Sequence, residues 1–139
     1  MKYIDASNAI AGRLASYVAQ ELLTGEAVCI VNAEKAVISG NPSYTHKLFK
    51  EKVDRGHPRK GPFYPRTPER MLRRIIRGML PHHKDRGKRA YQRLRVYTGV
   101  PEDLADKKLK RFGKAENRLE TKFLTIDKVT VRLGAHKRW

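Results

Sequence analysis

A chain of 139 residues has room for one domain and little more. Lys and Arg number 31 against 14 Asp and Glu, a formal net charge of +17, yet 40% of the residues are apolar and fall in patterned blocks. That balance excludes a disordered basic tail, a collagen-like chain and a disulfide scaffold, and it calls for a polyanionic partner, nucleic acid first.

Lys2 to Ile4 reads as a short strand running into a polar turn at Asp5 to Asn8. Leu14, Val18 and Leu22 then recur every four residues, with Ala15, Ala19 and Leu23 beside them, the apolar stripe of an amphipathic helix. Gly25 ends it, since glycine most readily takes the left-handed position after a helix. Ala27 to Val31 is a continuous apolar run, as expected of a strand buried on both faces. Ala36 to Ile38 offers another strand, stopped by Ser39-Gly40-Asn41-Pro42, and a helix over 43–53 would turn Tyr44, Leu48 and Phe49 inward. Strands alternating with helices, and no hairpin signal, favour a small parallel sheet covered by helices.

Residues 54–67 change character, with two Gly and three Pro in fourteen positions and no apolar period. Arg55, His57, Arg59, Lys60 and Arg66 lie here among Phe63 and Tyr64, a mixture that can meet phosphates and stack on unpaired bases. The alternative is a solvated linker whose rings fold back on the core. Thr67-Pro68-Glu69 then has the form of a helix start, with Thr as N-cap and Pro at the first helical position. At about 100° per residue, Arg70, Arg73, Arg74 and Arg77 fall in one arc of about 100°. Met71, Leu72, Ile75, Ile76, Met79 and Leu80 take the opposite side, so this helix over 68–80 would dock by one face and present guanidinium groups on the other.

Pro81 ends that helix, and His82, His83, Lys84, Arg86, Lys88 and Arg89 make a second basic stretch. The two histidines lack the spaced Cys/His partners that a metal site requires, and as sequence neighbours they would point different ways. Leu94 to Tyr97 reads as the last sheet strand. Residues 102–118 suggest a short helix and an extended arm, with Phe123, Leu124 and Ile126 as an apolar anchor after it. Over 126–134 the pattern admits helix or strand. Divided along the chain, residues 1–45 carry a net −1, residues 46–95 a net +13 and residues 96–139 a net +5. The first third reads as scaffold, and the middle third as the contact surface.

Enzyme signatures are missing. No two glycines are spaced as G-x-G, and Gly56 and Gly61 have P-loop spacing but Pro62 stands where the lysine must be. There is no G-x-S-x-G, H-E-x-x-H or C-x-x-C, and Cys29 falls inside an apolar strand. With no basic-then-apolar leader at Met1, one cysteine and no run of 18 apolar residues, the expectation is a soluble intracellular protein without disulfide or membrane span.

Arg77-Gly78-Met79-Leu80-Pro81, five residues, Gly87-Lys88, five more, then Leu94-Arg95-Val96-Tyr97-Thr98-Gly99 resembles the signature of family thirteen of the universal large-subunit ribosomal proteins. Asp5, Gly12 to Ser16, Val31 to Glu34 and Ile38 to Gly40 are similar to the same family, and the likeness runs over residues 2–99. The short chain resembles the archaeal branch. The resemblance implies a three-layer α/β/α fold on a small parallel sheet of about four strands, with a basic loop and a C-terminal arm at 102–122. It further implies a single rRNA-binding domain over 1–139, in the cytoplasm, that is part of the large subunit and supports its assembly. Large-subunit (23S-type) rRNA and neighbouring ribosomal proteins would be the partners, with no cofactor, metal, membrane or small-molecule substrate. The fifteen basic residues of the loop, helix and second stretch named above would carry the rRNA contacts. A DNA-compacting protein or an RNA-modifying enzyme is the alternative that the charge leaves open.

Overall fold

The computed structural model describes residues 1–137 and 139. Strand β1 (Lys2–Asp5) leads through helix α1 (Ala11–Leu23) to β2 (Val28–Val31), which pairs parallel with it. The apolar stripe of α1, Leu14, Ala15, Val18, Ala19 and Leu22, is buried as its four-residue spacing requires. All four residues of β2 are buried, so protein covers both faces of the sheet at this strand. A later strand, Leu94–Val96, adds to the other side of β2, again parallel.

The parallel sheet therefore has three strands, not about four. Residues Val37–Ser39 (β3) do form a strand, but it pairs antiparallel with Phe123–Thr125 in a separate two-stranded sheet. Leu94–Val96 and Phe123–Thr125 are thus β4 and β5. The free edge of β1 is closed by the arm, where Lys110 donates its backbone N–H to Tyr3 O and accepts from the N–H of Asp5, both at 3.0 Å. These backbone bonds satisfy an edge otherwise open to pairing with another chain.

Helix α2 (Pro42–Asp54) starts at Asn41, whose side chain accepts from the N–H of Ser43 at 3.0 Å, with Pro42 at the first helical position. Its buried stripe is Thr45 and Phe49, four residues apart. Tyr44 was expected inward and is instead 66% exposed; it sits one position round the helix from that stripe, with Leu48 only half-buried. Helix α3 (Pro68–Gly78) and helix α4 (Asp85–Gln92) follow, and α5 (Ile126–Arg132) resolves the last segment as helix. The arm holds two short 3₁₀ turns, Glu102–Leu104 and Gly113–Ala115, in place of the expected short helix. Phe112 stacks on Tyr17 of α1 with ring centroids 3.8 Å apart. Leu124 and Ile126 anchor the chain's end in the core, while Phe123 is 42% exposed.

The two buried carboxylates hold chain crossings. Asp5 accepts hydrogen bonds from Ser7 N–H at 3.0 Å, from the Asn32 side chain at 2.9 Å and from Arg111 Nε at 3.2 Å. Glu34 accepts from the N–H of Gly99 at 3.0 Å, and Gly99 O in turn accepts from the N–H of Asn32 at 2.9 Å. Burial pushes the Asp5 carboxyl up, but the bonds from Ser7, Asn32 and Arg111 outweigh it and hold the group below its ordinary value. Its stabilising effect is therefore complete above the ordinary carboxyl pKa of about 3.9 and fades as pH falls through the lower folded value. Asp5→Asn is expected to cost about 1–3 kcal/mol at neutral pH in urea unfolding and to remove that part of the acid-side decline. An unchanged stability would show that the network carries no net energy.

Candidate nucleic-acid interface

Three basic segments lie side by side, and α3 is the middle one. Met71, Leu72 and Ile76 are fully buried and Leu80 nearly so, against α1, α5 and β4. Each such side chain contributes roughly 1.5–3 kcal/mol by leaving water, so α3 is firmly seated. Met79, expected on the apolar face, lies just past the helix end and is 41% exposed, while Leu80 after it turns into the core. Thr67 occupies the N-cap position, but its hydroxyl makes no capping bond and is buried without a partner among the described residues.

On the outer face Arg70 is exposed, and Arg73, Arg74 and Arg77 are half-buried. The two consecutive arginines reach different neighbours, as a separation of about 100° on the helix allows. The Arg73 guanidinium lies over the Tyr91 ring of α4, 4.5 Å from its centroid. That of Arg74 lies 5.9 Å from the ring centroid of Tyr64 in the loop over 54–67. Tyr64 is itself tilted against Phe49 of α2 at 6.0 Å, and burial pushes its hydroxyl pKa up despite the opposing charge of Arg74. Cation–π contacts thus tie loop, α3 and α4 into one surface. The face is less bare than the helical arc alone predicts, since two of its four arginines are partly covered by tyrosine.

The loop contains no helix or strand, as its Gly and Pro content requires, but it is not shapeless. His57 and Gly61 exchange two backbone hydrogen bonds, at 3.1 and 2.8 Å. Arg55, His57, Arg59, Lys60 and Arg66 are all exposed, the first four in or beside this turn, while Arg66 reaches away from it toward Gly134 after α5. On the other side of α3, His83, Lys84, Arg86, Lys88 and Arg89 are exposed and His82 is half-buried. The expectation that the two histidines diverge is overturned, for their rings lie 4.1 Å apart. Among the described residues no group of three His, Cys, Asp or Glu side chains is placed to share a metal ion.

The basic stretch after Pro81 is helical from Asp85 on, after a turn at 82–84, which the pattern did not reveal. The core contacts of α4 are Gly87 and Ala90, both too small to mark an apolar period. Gly87 lies where α4 crosses the preceding turn: a Cβ there would sit 2.1 Å from Pro81 O and 2.4 Å from Pro81 C. Only glycine permits that approach. Of the fifteen basic residues in these segments, Lys88 alone has a carboxylate partner among the described residues, Asp85 at 3.6 Å, and both are well exposed. Such a pair is worth little. Lys52 and Tyr91 also belong to the surface: Lys52 Nζ lies 4.9 Å from the Phe49 ring centroid and 5.8 Å from that of Tyr64. Neither was singled out from the sequence. Cys29 is buried in β2, which pushes its thiol pKa up, the opposite of what a nucleophile needs. No helix among the described residues is long and apolar enough to cross a membrane.

A family model described as ribosomal protein L13 matches residues 1–103. The large ribosomal subunit protein uL13 of Archaeoglobus fulgidus is 50% identical over 125 residues, which cover 90% of this chain and 78% of that protein. The protein of the same name from Thermoplasma acidophilum is 45% identical over 136 residues, covering 98% of this chain and 100% of its own length. That of Haloarcula marismortui is 43% identical over 137 residues, 98% of this chain and 92% of the relative. These relatives are ribosomal proteins, a family not known to be enzymatic. With the signature residues in place on α3, α4 and β4 and the likeness running nearly end to end, the chain belongs to the ribosomal protein L13 family.

Proposed function

We propose that the protein is a structural constituent of the large ribosomal subunit that holds large-subunit (23S-type) rRNA on the face formed by the loop over 54–67, α3 and α4. The observation that carries this reading is the charge of that face: fifteen basic side chains meet a single exposed carboxylate partner. A surface with this excess of one sign repels itself until an anion neutralises it, and a phosphate chain does so at many points together. Arginine suits the task because its planar fork pairs with phosphate oxygens in bidentate fashion. The contacts of Arg73 with the Tyr91 ring and of Arg74 with the Tyr64 ring support the reading, since guanidinium groups already held beside a ring lose less freedom on binding.

In this reading the whole chain works as one rRNA-binding domain in the cytoplasm, its arm and free faces meeting neighbouring ribosomal proteins, and it clamps RNA segments together as the subunit assembles. Binding to large-subunit rRNA is expected to weaken steeply with salt, with a log–log slope of about −0.7 to −0.9 per phosphate neutralised. Duplex DNA of equal phosphate content, added as competitor at fixed salt, should displace the protein poorly. Equal competition by the DNA would favour a general DNA-compacting protein instead.

A further inference from the structure

We propose that the cleft beside Phe63 takes one unpaired RNA nucleotide, its base stacked on the Phe63 ring and its phosphate held by Lys52, Arg55 and Arg74. The inference rests on the rRNA-binding reading and names one point at which the RNA is gripped. The loop is folded to display this ring. Gly56 has φ +107°, and a Cβ on it would lie 2.5 Å from Pro62 Cδ, so the chain closes there only because the position is glycine. Phe63 follows the closed turn and lies against Gly61, where an added Cβ would be 3.0 Å from two ring carbons. One side of the ring is thus backed by the turn, yet the residue is 72% exposed. Tyr64, next in sequence, goes the other way and packs inward against Phe49.

Between them lies a cleft of about 250 Å³, lined by Lys52, Arg55, Pro62, Phe63, Tyr64 and Arg74. Its lining joins Pro62 and two aromatic rings to three cations, with no carboxylate among the described residues that line it. That pairing of chemistries matches a nucleotide, which has a flat base needing an apolar partner and a phosphate needing positive charge. An acidic peptide would satisfy the cations and leave the exposed ring in water. A duplex offers phosphates but no free base face.

The test uses the full chain and two RNA hairpins of equal phosphate number, one fully paired and one bearing a single bulged 2-aminopurine. The expected result is tighter binding of the bulged hairpin with quenching of its fluorescence. Phe63→Ala should lose the quenching and about tenfold in affinity for the bulged hairpin only. Phe63→Trp, which keeps a ring, should retain both, and the circular dichroism of both variants should match the parent because the side chain is largely exposed. If Phe63→Ala weakens both hairpins alike or neither, or if polyglutamate displaces the bulged hairpin as well as polyuridylate does, the stacking site is wrong while charge-driven rRNA binding stands. Failure of both hairpins to bind at low salt would overturn the site and the rRNA reading together.

Discussion

Replacing Arg70 and Arg77 together by glutamine is expected to weaken binding to large-subunit rRNA by about tenfold or more and to flatten its salt dependence by roughly 1.4–1.8 log units per log unit of salt. These two arginines are chosen because no aromatic ring or carboxylate holds them among the described residues. Arg73 and Arg74 lie over the Tyr91 and Tyr64 rings, so replacing them would remove ring contacts and charge at once. Arg77 lies in the last turn of α3, where its charge favours the helix dipole by a few tenths of a kcal/mol, so the melting curve should hardly move. Filter binding over a salt series reads both numbers. An affinity within about threefold of the parent would mean that α3 does not face the RNA.

Gly87→Ala is the second large effect, and it acts on the shape of the surface. The added methyl would stand 2.1 Å from Pro81 O, a backbone atom that cannot rotate aside. Either α4 lifts from the core or the turn at 81–84 is pushed out, and both carry basic side chains of the proposed interface. The expected cost is roughly 3 kcal/mol in urea unfolding, the upper end for overpacking. A loss of rRNA affinity should accompany it, because α4 also brings the Tyr91 ring to Arg73. Gly78→Ala is the matched control: it lies in α3 with nothing within 4 Å of its would-be Cβ, and should be neutral or slightly stabilising. Equal stability of the two variants would remove the close approach as the reason for glycine at 87.

What could be read beforehand follows physical rules. The helix over 11–23 and the buried strand over 28–31 were legible because large apolar residues sit at the helical spacing in one and without interruption in the other. The arginine arc of α3 was legible for the same reason, its opposite face being Met71, Leu72 and Ile76. Nothing local announces that Val37–Ser39 pairs with Phe123–Thr125, since antiparallel partners so far apart in sequence share no turn. The join of Lys110 to β1 is made by backbone atoms, which every residue type has. Within the proposed interface, charge was visible in composition, but the rings beside it were not. That Tyr64 and Tyr91 lie under Arg74 and Arg73 depends on how three segments pack, and no spacing encodes it.

Covalent labelling of arginine and lysine in the free protein and in its complex with large-subunit rRNA, read residue by residue by mass spectrometry, tests the shared face most directly. Arg55, Arg59 and Lys60 of the loop, Arg70 of α3, and Lys84, Arg86 and Arg89 at α4 are exposed in the free protein and should lose reactivity together in the complex. Full reactivity of these seven, with protection confined to the arm at Lys107 and Lys108 on the opposite side of the sheet from β4, would contradict the account.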